Sequence, residues 1–129
     1  MKRDDLPIDV RYFLETSIDS IEQLQVLILL QTHPNKIWTT NEIAIELRSV
    51  DTSIQKRLHD LYRRNILLVS DKENEHKFLP SSTSMRALIE ILAGENQLRP
   101  YQVIDAIYAS PDKSILDFAN AFKMRGDKS

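Results

Sequence analysis

The chain contains no cysteine. That absence removes thiol catalysis, cysteine-ligated zinc, iron–sulfur clusters and disulfide scaffolds together, and it fits a reducing compartment. Glycine is almost as scarce. With only Gly94 and Gly126, neither a G-x-G-x-x-G dinucleotide turn nor a G-x-x-x-x-G-K-[ST] phosphate loop can be written, which excludes nucleotide enzymes of those two designs. Long apolar runs are missing too: the longest covers residues 26–30, far short of the roughly 20 residues that cross a bilayer. The opening residues carry charges and Pro7 but no apolar segment, so no secretory signal is expected and the expected location is the cytoplasm. His33, His59 and His76 fall on separate elements with no i, i+4 pair, so no metal site is expected. A strong excess of charge of one sign is also lacking. Seventeen Lys and Arg stand against 19 Asp and Glu, a net charge of −2, so attraction to nucleic acid or an anionic membrane requires a local patch.

What remains is an ordinary globular composition: 129 residues, 42% hydrophobic and 28% charged. At that length folding hides roughly two-thirds of the unfolded surface, enough for a core without staples. Residues 1–16 read as an arm that packs at its distal end through Val10, Tyr12, Phe13 and Leu14. Ser20 and Gln23 have capping-box spacing and start a helix. Its apolar residues spread around the axis, as in a central helix surrounded by others. Pro34 ends it. Thr39 and Glu42 form a second capping box, with Trp38 and Ile43 placed as a hydrophobic staple. That helix should stop near Arg48, with Asp51 as the next N-cap and a further helix from Thr52 whose buried stripe is Ile54, Leu58 and Leu61. Asn65 suits a left-handed position after the last turn. Residues 66–69 and 76–79 then read as a β-hairpin around a polar turn. Three more stripes follow: Met85, Leu88, Ile89 and Leu92, ending at Gly94; Val103, Ile104 and Ile107 after Pro100; and Ile115, Phe118, Ala119 and Phe122.

Helix, capped helix, short turn, second helix and hairpin, from Trp38-Thr39-Thr40-Asn41-Glu42 through Arg63-Arg64-Asn65-Ile66-Leu67, resemble a winged helix-turn-helix. The arrangement is similar to that of MarR-type proteins, and more so to short bacterial winged-helix proteins with a similar opening (Ser20 to Leu24) and ending (Phe118 to Phe122). The resemblance implies a mainly α fold with a small β-hairpin and additional C-terminal helices: an arm at 1–16, a winged helix-turn-helix domain at 17–80, and a C-terminal helical extension at 81–129. It also implies that the helix 52–64 is a recognition helix and residues 71–77 the wing, as in a cytoplasmic DNA-binding transcriptional regulator.

On that helix Thr52, Lys56, His59 and Arg63 stand opposite the buried stripe, with Ser53 and Gln55 at the flanks. These side chains can bond to base edges and phosphates, and a helix of this size fits the major groove. Asp60 is expected beside that face, and the wing sets Asp71, Glu73 and Glu75 against Lys72 and Lys77. This composition suits a protein partner better than a phosphate backbone, so the competing reading is a winged-helix protein-interaction module. No enzyme and no cofactor are expected: Asp4, Asp5, Glu73 and Glu75 read as solvated charges, and residues 81–84 read as a helix cap rather than a nucleophile. The three late stripes are more apolar surface than one winged helix covers. They imply a homodimer joined through the C-terminal helices, which also suits a two-fold DNA site.

Overall fold

The computed structural model describes residues 5–109. The protein is mainly helical, with six helices among the described residues: α1 (Ile8–Ser17), α2 (Ile21–Thr32), α3 (Thr40–Glu46), α4 (Asp51–Arg63), α5 (Thr83–Leu98) and α6 (Pro100–Ile107). None of them is long and apolar enough to cross a membrane. The capping box at Thr39 forms in full and the one at Ser20 in part. Ser20 Oγ accepts from the Gln23 amide, and the Gln23 side chain in turn accepts from the Asp19 amide. At α3 the Thr39 hydroxyl accepts from the Glu42 amide, while Glu42 Oε1 accepts from the Thr39 amide at 2.9 Å. Trp38 and Ile43, the staple pair, are both buried.

α3 and α4 end in the same way. The Ser49 amide donates to the Ala44 carbonyl and the Arg48 amide to Ile45, with Arg48 left-handed at φ 56°. The Ile66 amide donates to Leu61 and the Asn65 amide to Tyr62, with Asn65 at φ 59°. Each is a Schellman motif, which satisfies carbonyls that a helix end leaves open. Asn65 was legible because its side chain tolerates positive φ; Arg48 carries no such mark. α4 begins one residue earlier than expected. Val50, not Asp51, holds its N-cap position, and the Asp51 carboxylate accepts from Asn41 Nδ2 at 3.0 Å instead.

The hairpin expected over 66–79 is reduced to single pairings. Among the described residues there are two isolated antiparallel bridges, Trp38 with His76 and Leu67 with Pro80, and no extended strand. The Leu68 amide reaches the Leu79 carbonyl at 2.7 Å and the Ser81 amide the Ile66 carbonyl at 3.2 Å, but the Ile66 amide is committed to Leu61 and does not return the bond. Trp38 and His76 exchange both backbone bonds, at 2.7 and 2.8 Å, so residues 76–80 run between the 36–38 and 66–68 segments.

α2 packs against both α4 and α5, and α3 packs against α4. α1 is a helix, not an arm, and lies against α5 and α6 through buried Val10, Phe13 and Leu14. Ile89, Leu92, Val103, Ala106 and Ile107 are buried in the same core. The chain therefore buries the inner residues of these two stripes itself, with Met85, Leu88 and Ile104 left half-buried, and the packing reason for a second copy does not hold for the inner residues. The third stripe, Ile115 to Phe122, lies outside the described residues. α5 does not stop at Gly94 but runs on to Leu98, since an isolated glycine weakens a helix without ending it.

Nothing lies within 4 Å of a Cβ built at Gly94. Gly94→Ala should therefore raise the unfolding free energy by about 0.5–1 kcal/mol, read from the urea midpoint at constant slope. Asn65→Val should lower it by about 1 kcal/mol or more, because a β-branched residue resists the left-handed conformation.

Candidate nucleic-acid interface

α4 divides its side chains between a scaffold side and an outer side. On the scaffold side, the Glu22 carboxylate from the first turn of α2 collects three donors. The Ser49 hydroxyl reaches Oε2 at 2.6 Å, Arg57 Nε reaches Oε1 at 2.9 Å, and the Ser53 hydroxyl donates to Oε1. Burial alone would raise the Glu22 pKa. The hydrogen bonds from Ser49, Ser53 and Arg57, with the Arg57 charge, outweigh it and hold the group below its ordinary 4.5. One turn beyond the end of the stripe, Arg64 grips Asp19 with both arms of its guanidinium, at 2.7 and 2.9 Å, and donates to the Thr16 carbonyl at 3.3 Å.

The outer side carries Thr52, Gln55, Lys56, His59 and Arg63, all exposed. These five residues of the expected reading face come together as one stripe. Ser53 does not join them; it is half-buried and committed to Glu22. Asp60 also lies elsewhere than expected. It is not beside the face but under it, 5% exposed, with Lys56 Nζ at 3.7 Å and Arg63 Nη2 at 3.4 Å from its oxygens. Its charge is met by two cations whose own side chains remain mostly in solvent. A sheltered carboxylate requires such partners, so Asp60 draws on the cations of the face rather than standing apart from them.

Beside this stripe a cleft of about 480 Å³ opens between α3, α4 and the 71–77 loop, lined among others by Asn41, Asp51, Gln55, His59, Glu73 and Asn74. The loop is fixed to the helices by polar contacts. Asn74, left-handed at φ 58°, accepts from the Thr40 amide through Oδ1 at 3.0 Å. His76 sits with Nδ1 at 2.6 Å from the Tyr62 hydroxyl and Nε2 at 3.2 Å from the Thr40 hydroxyl. A neutral imidazole offers one donor and one acceptor, and each hydroxyl can take the matching role. Burial lowers the His76 pKa from its ordinary 6.5 and pushes the Tyr62 phenol up to about 12, so both groups are neutral near pH 7. Neither the His76 contacts nor the Glu22 cluster was visible in the sequence, where these partners stand between 14 and 36 positions apart.

A histidine whose pKa is lower folded than unfolded binds its proton more readily in the unfolded chain. Its contribution is fully present above pH 6.5 and is lost as the pH falls from there through the folded value. Unfolding titrations from about pH 7.5 to about pH 5 should show that decline, and His76→Gln should flatten it while lowering stability at neutral pH by about 1–2 kcal/mol. An unchanged pH profile in His76→Gln would place the titration elsewhere.

No family model matches the chain, and no curated protein or solved structure matches it either; what favours a function is therefore the geometry of α4 and its surroundings.

Proposed function

We propose that the protein is a DNA-binding transcriptional regulator of winged-helix type that lays the outer side of α4 in the major groove. One observation carries this reading: α4 anchors Ser53, Arg57 and Arg64 to α2 and the segment before it, and leaves Thr52, Gln55, Lys56, His59 and Arg63 as one exposed polar stripe. A helix of 13 residues is roughly 20 Å long at 1.5 Å per residue and fits a groove about 12 Å wide. In this reading Lys56 and Arg63 meet phosphates while Gln55, His59 and Thr52 reach base edges. The pairings of Trp38 with His76 and Leu67 with Pro80 support residues 66–80 as a reduced wing. Because the inner residues of α5 and α6 are buried by the same chain, the proposed binding unit is one chain with one recognition helix. Such single modules bury about 600–1,000 Å² on DNA.

The acidic side chains of the cleft, Asp51 and Glu73, favour the second reading, a winged-helix module that docks a protein. Salt separates the two. A DNA reader should bind duplex fragments with a steep negative dependence of log affinity on log salt, and Lys56→Ala and Arg63→Ala should each reduce that slope by about one unit. Arg57→Ala should instead lower stability, since Arg57 faces Glu22. Failure to bind any duplex at low salt would discard the DNA reading.

A further inference from the structure

By rotation, Asp60 belongs to the anchored side of α4. At 100° per residue Ser53, Arg57, Asp60 and Arg64 fall within about 60° of one another, and the other three are committed to Glu22 and Asp19. The cations of that row are therefore taken. Asp60 is met instead from the outer stripe: Lys56 Nζ stands 3.7 Å from one carboxylate oxygen and Arg63 Nη2 3.4 Å from the other. The Asp60 side chain is only 7% exposed, so the carboxylate is fixed by its packed flank and the two long side chains come to it. They lie seven residues apart, roughly 10 Å along the axis, and one charge between them ties both.

These ties leave donors over. The Lys56 and Arg63 side chains are 66% and 55% exposed, and an ammonium or a guanidinium has more N–H donors than one carboxylate uses. A phosphate lying directly above can thus share the cation with Asp60. A phosphate further off cannot: to reach it the side chain must leave Asp60 and strip a sheltered carboxylate of its counter-charge, which is costly.

We propose that Asp60 is a specificity-determining residue of the α4 face, positioning Lys56 and Arg63 to meet phosphates in one register on the duplex and withholding them in the others. The inference rests on the DNA reading of α4. Non-specific binding draws essentially all of its affinity from phosphate contacts, made wherever the protein slides, whereas Thr52, Gln55 and His59 reach base edges only where the sequence fits. Asp60 therefore weakens binding to arbitrary sequence more than binding to a matching one. The carboxylate that opposes phosphate is the source of discrimination.

Duplexes enriched by the wild-type chain from a random-sequence library supply the matching site, and a mixed-sequence duplex of equal length supplies the competitor. Asp60→Asn, nearly isosteric, should bind the mixed-sequence duplex about tenfold more tightly at low salt, with a slope steeper by about one to two units for the two released cations. Affinity for the enriched duplex should rise about twofold or less, so the ratio of the two affinities falls about fivefold. Glu90→Gln, the same change of charge at an exposed position of α5, should leave that ratio unchanged. An equal gain on both duplexes, no gain on either, or the same loss of ratio in Glu90→Gln would overturn the proposal and leave the DNA reading standing, as would a wild type that binds duplex but enriches no sequence. A wild type that binds no duplex at all would end the DNA reading itself. One measurement depends on neither the variant's folding nor DNA: in the free wild type the Arg63 side-chain N–H order parameter should lie above about 0.6, the border of flexible groups, and a lower value would show that Asp60 does not hold the cation in place.

Discussion

The outer side of α4 can be a recognition surface only if the helix is held at a fixed rotation, and a single carboxylate fixes that rotation together with the buried stripe of Ile54, Leu58 and Leu61. Glu22 belongs to the first turn of α2, where a negative charge is also favoured by the helix dipole. From there it takes hydrogen bonds from Ser49 in the turn before α4 and from Ser53 and Arg57 one and two turns along. Three donors on one group fix the turn and the helix together. If α4 were rotated by one residue, about 100°, both Ser53 and Arg57 would leave the carboxylate and Ile54 and Leu58 would leave the core. Polar and apolar contacts thus specify the same orientation, and that agreement makes the outer stripe a defined surface.

The same allocation decides how much charge the stripe offers. Of the basic residues along α4 and its cap, Arg57 and Arg64 are spent on Glu22 and Asp19, and Lys56 and Arg63 stand over Asp60. The two cations that remain outward are thus partly compensated from below. In this arrangement phosphate would compete with Asp60 for Lys56 and Arg63, so a DNA complex would be weaker, and its salt slope shallower, than the count of basic residues suggests. What these pairs determine is the field above the helix.

Local rules read the elements well and their partners poorly. Ser20 and Thr39 are recognisable as caps because a hydroxyl three residues ahead of the amide it accepts from is a short-range pattern, and within the capping run 81–84 the role falls to Ser82. The stripe of Ile54, Leu58 and Leu61 followed from periodicity alone. Gly94 misled because a helical stop was inferred from composition, whereas the turn that ends α5 lies at Arg99. α1 was missed because its N-cap position is Pro7, with no side-chain cap to announce a helix. Asp60 was placed by angle, beside the reading face, but burial depends on what packs against that flank, and a helical wheel does not contain it. Ser53 failed for the same reason: its hydroxyl was assigned outward although its partner Glu22 lies 31 residues earlier.

α2 explains why the helices beyond residue 80 are not a detachable extension. Leu24, Val26, Leu27 and Leu30 are buried, and Ile21, Ile28 and Leu29 pack against the same core, so apolar residues occupy most of its circumference. α4 covers one side and α5 another. Removing α5 and α6 would expose the second side of α2 and, with it, the inner residues of α1, at about 25 cal/mol for each Å² of apolar surface returned to water. A helix pair built on an α2 with a polar back could stand without α5 and α6; α3 and α4 rest on an α2 whose second side needs α5. The fixed rotation of α4 rests on Glu22, Glu22 rests on the placement of α2, and α2 is held between α4 and α5.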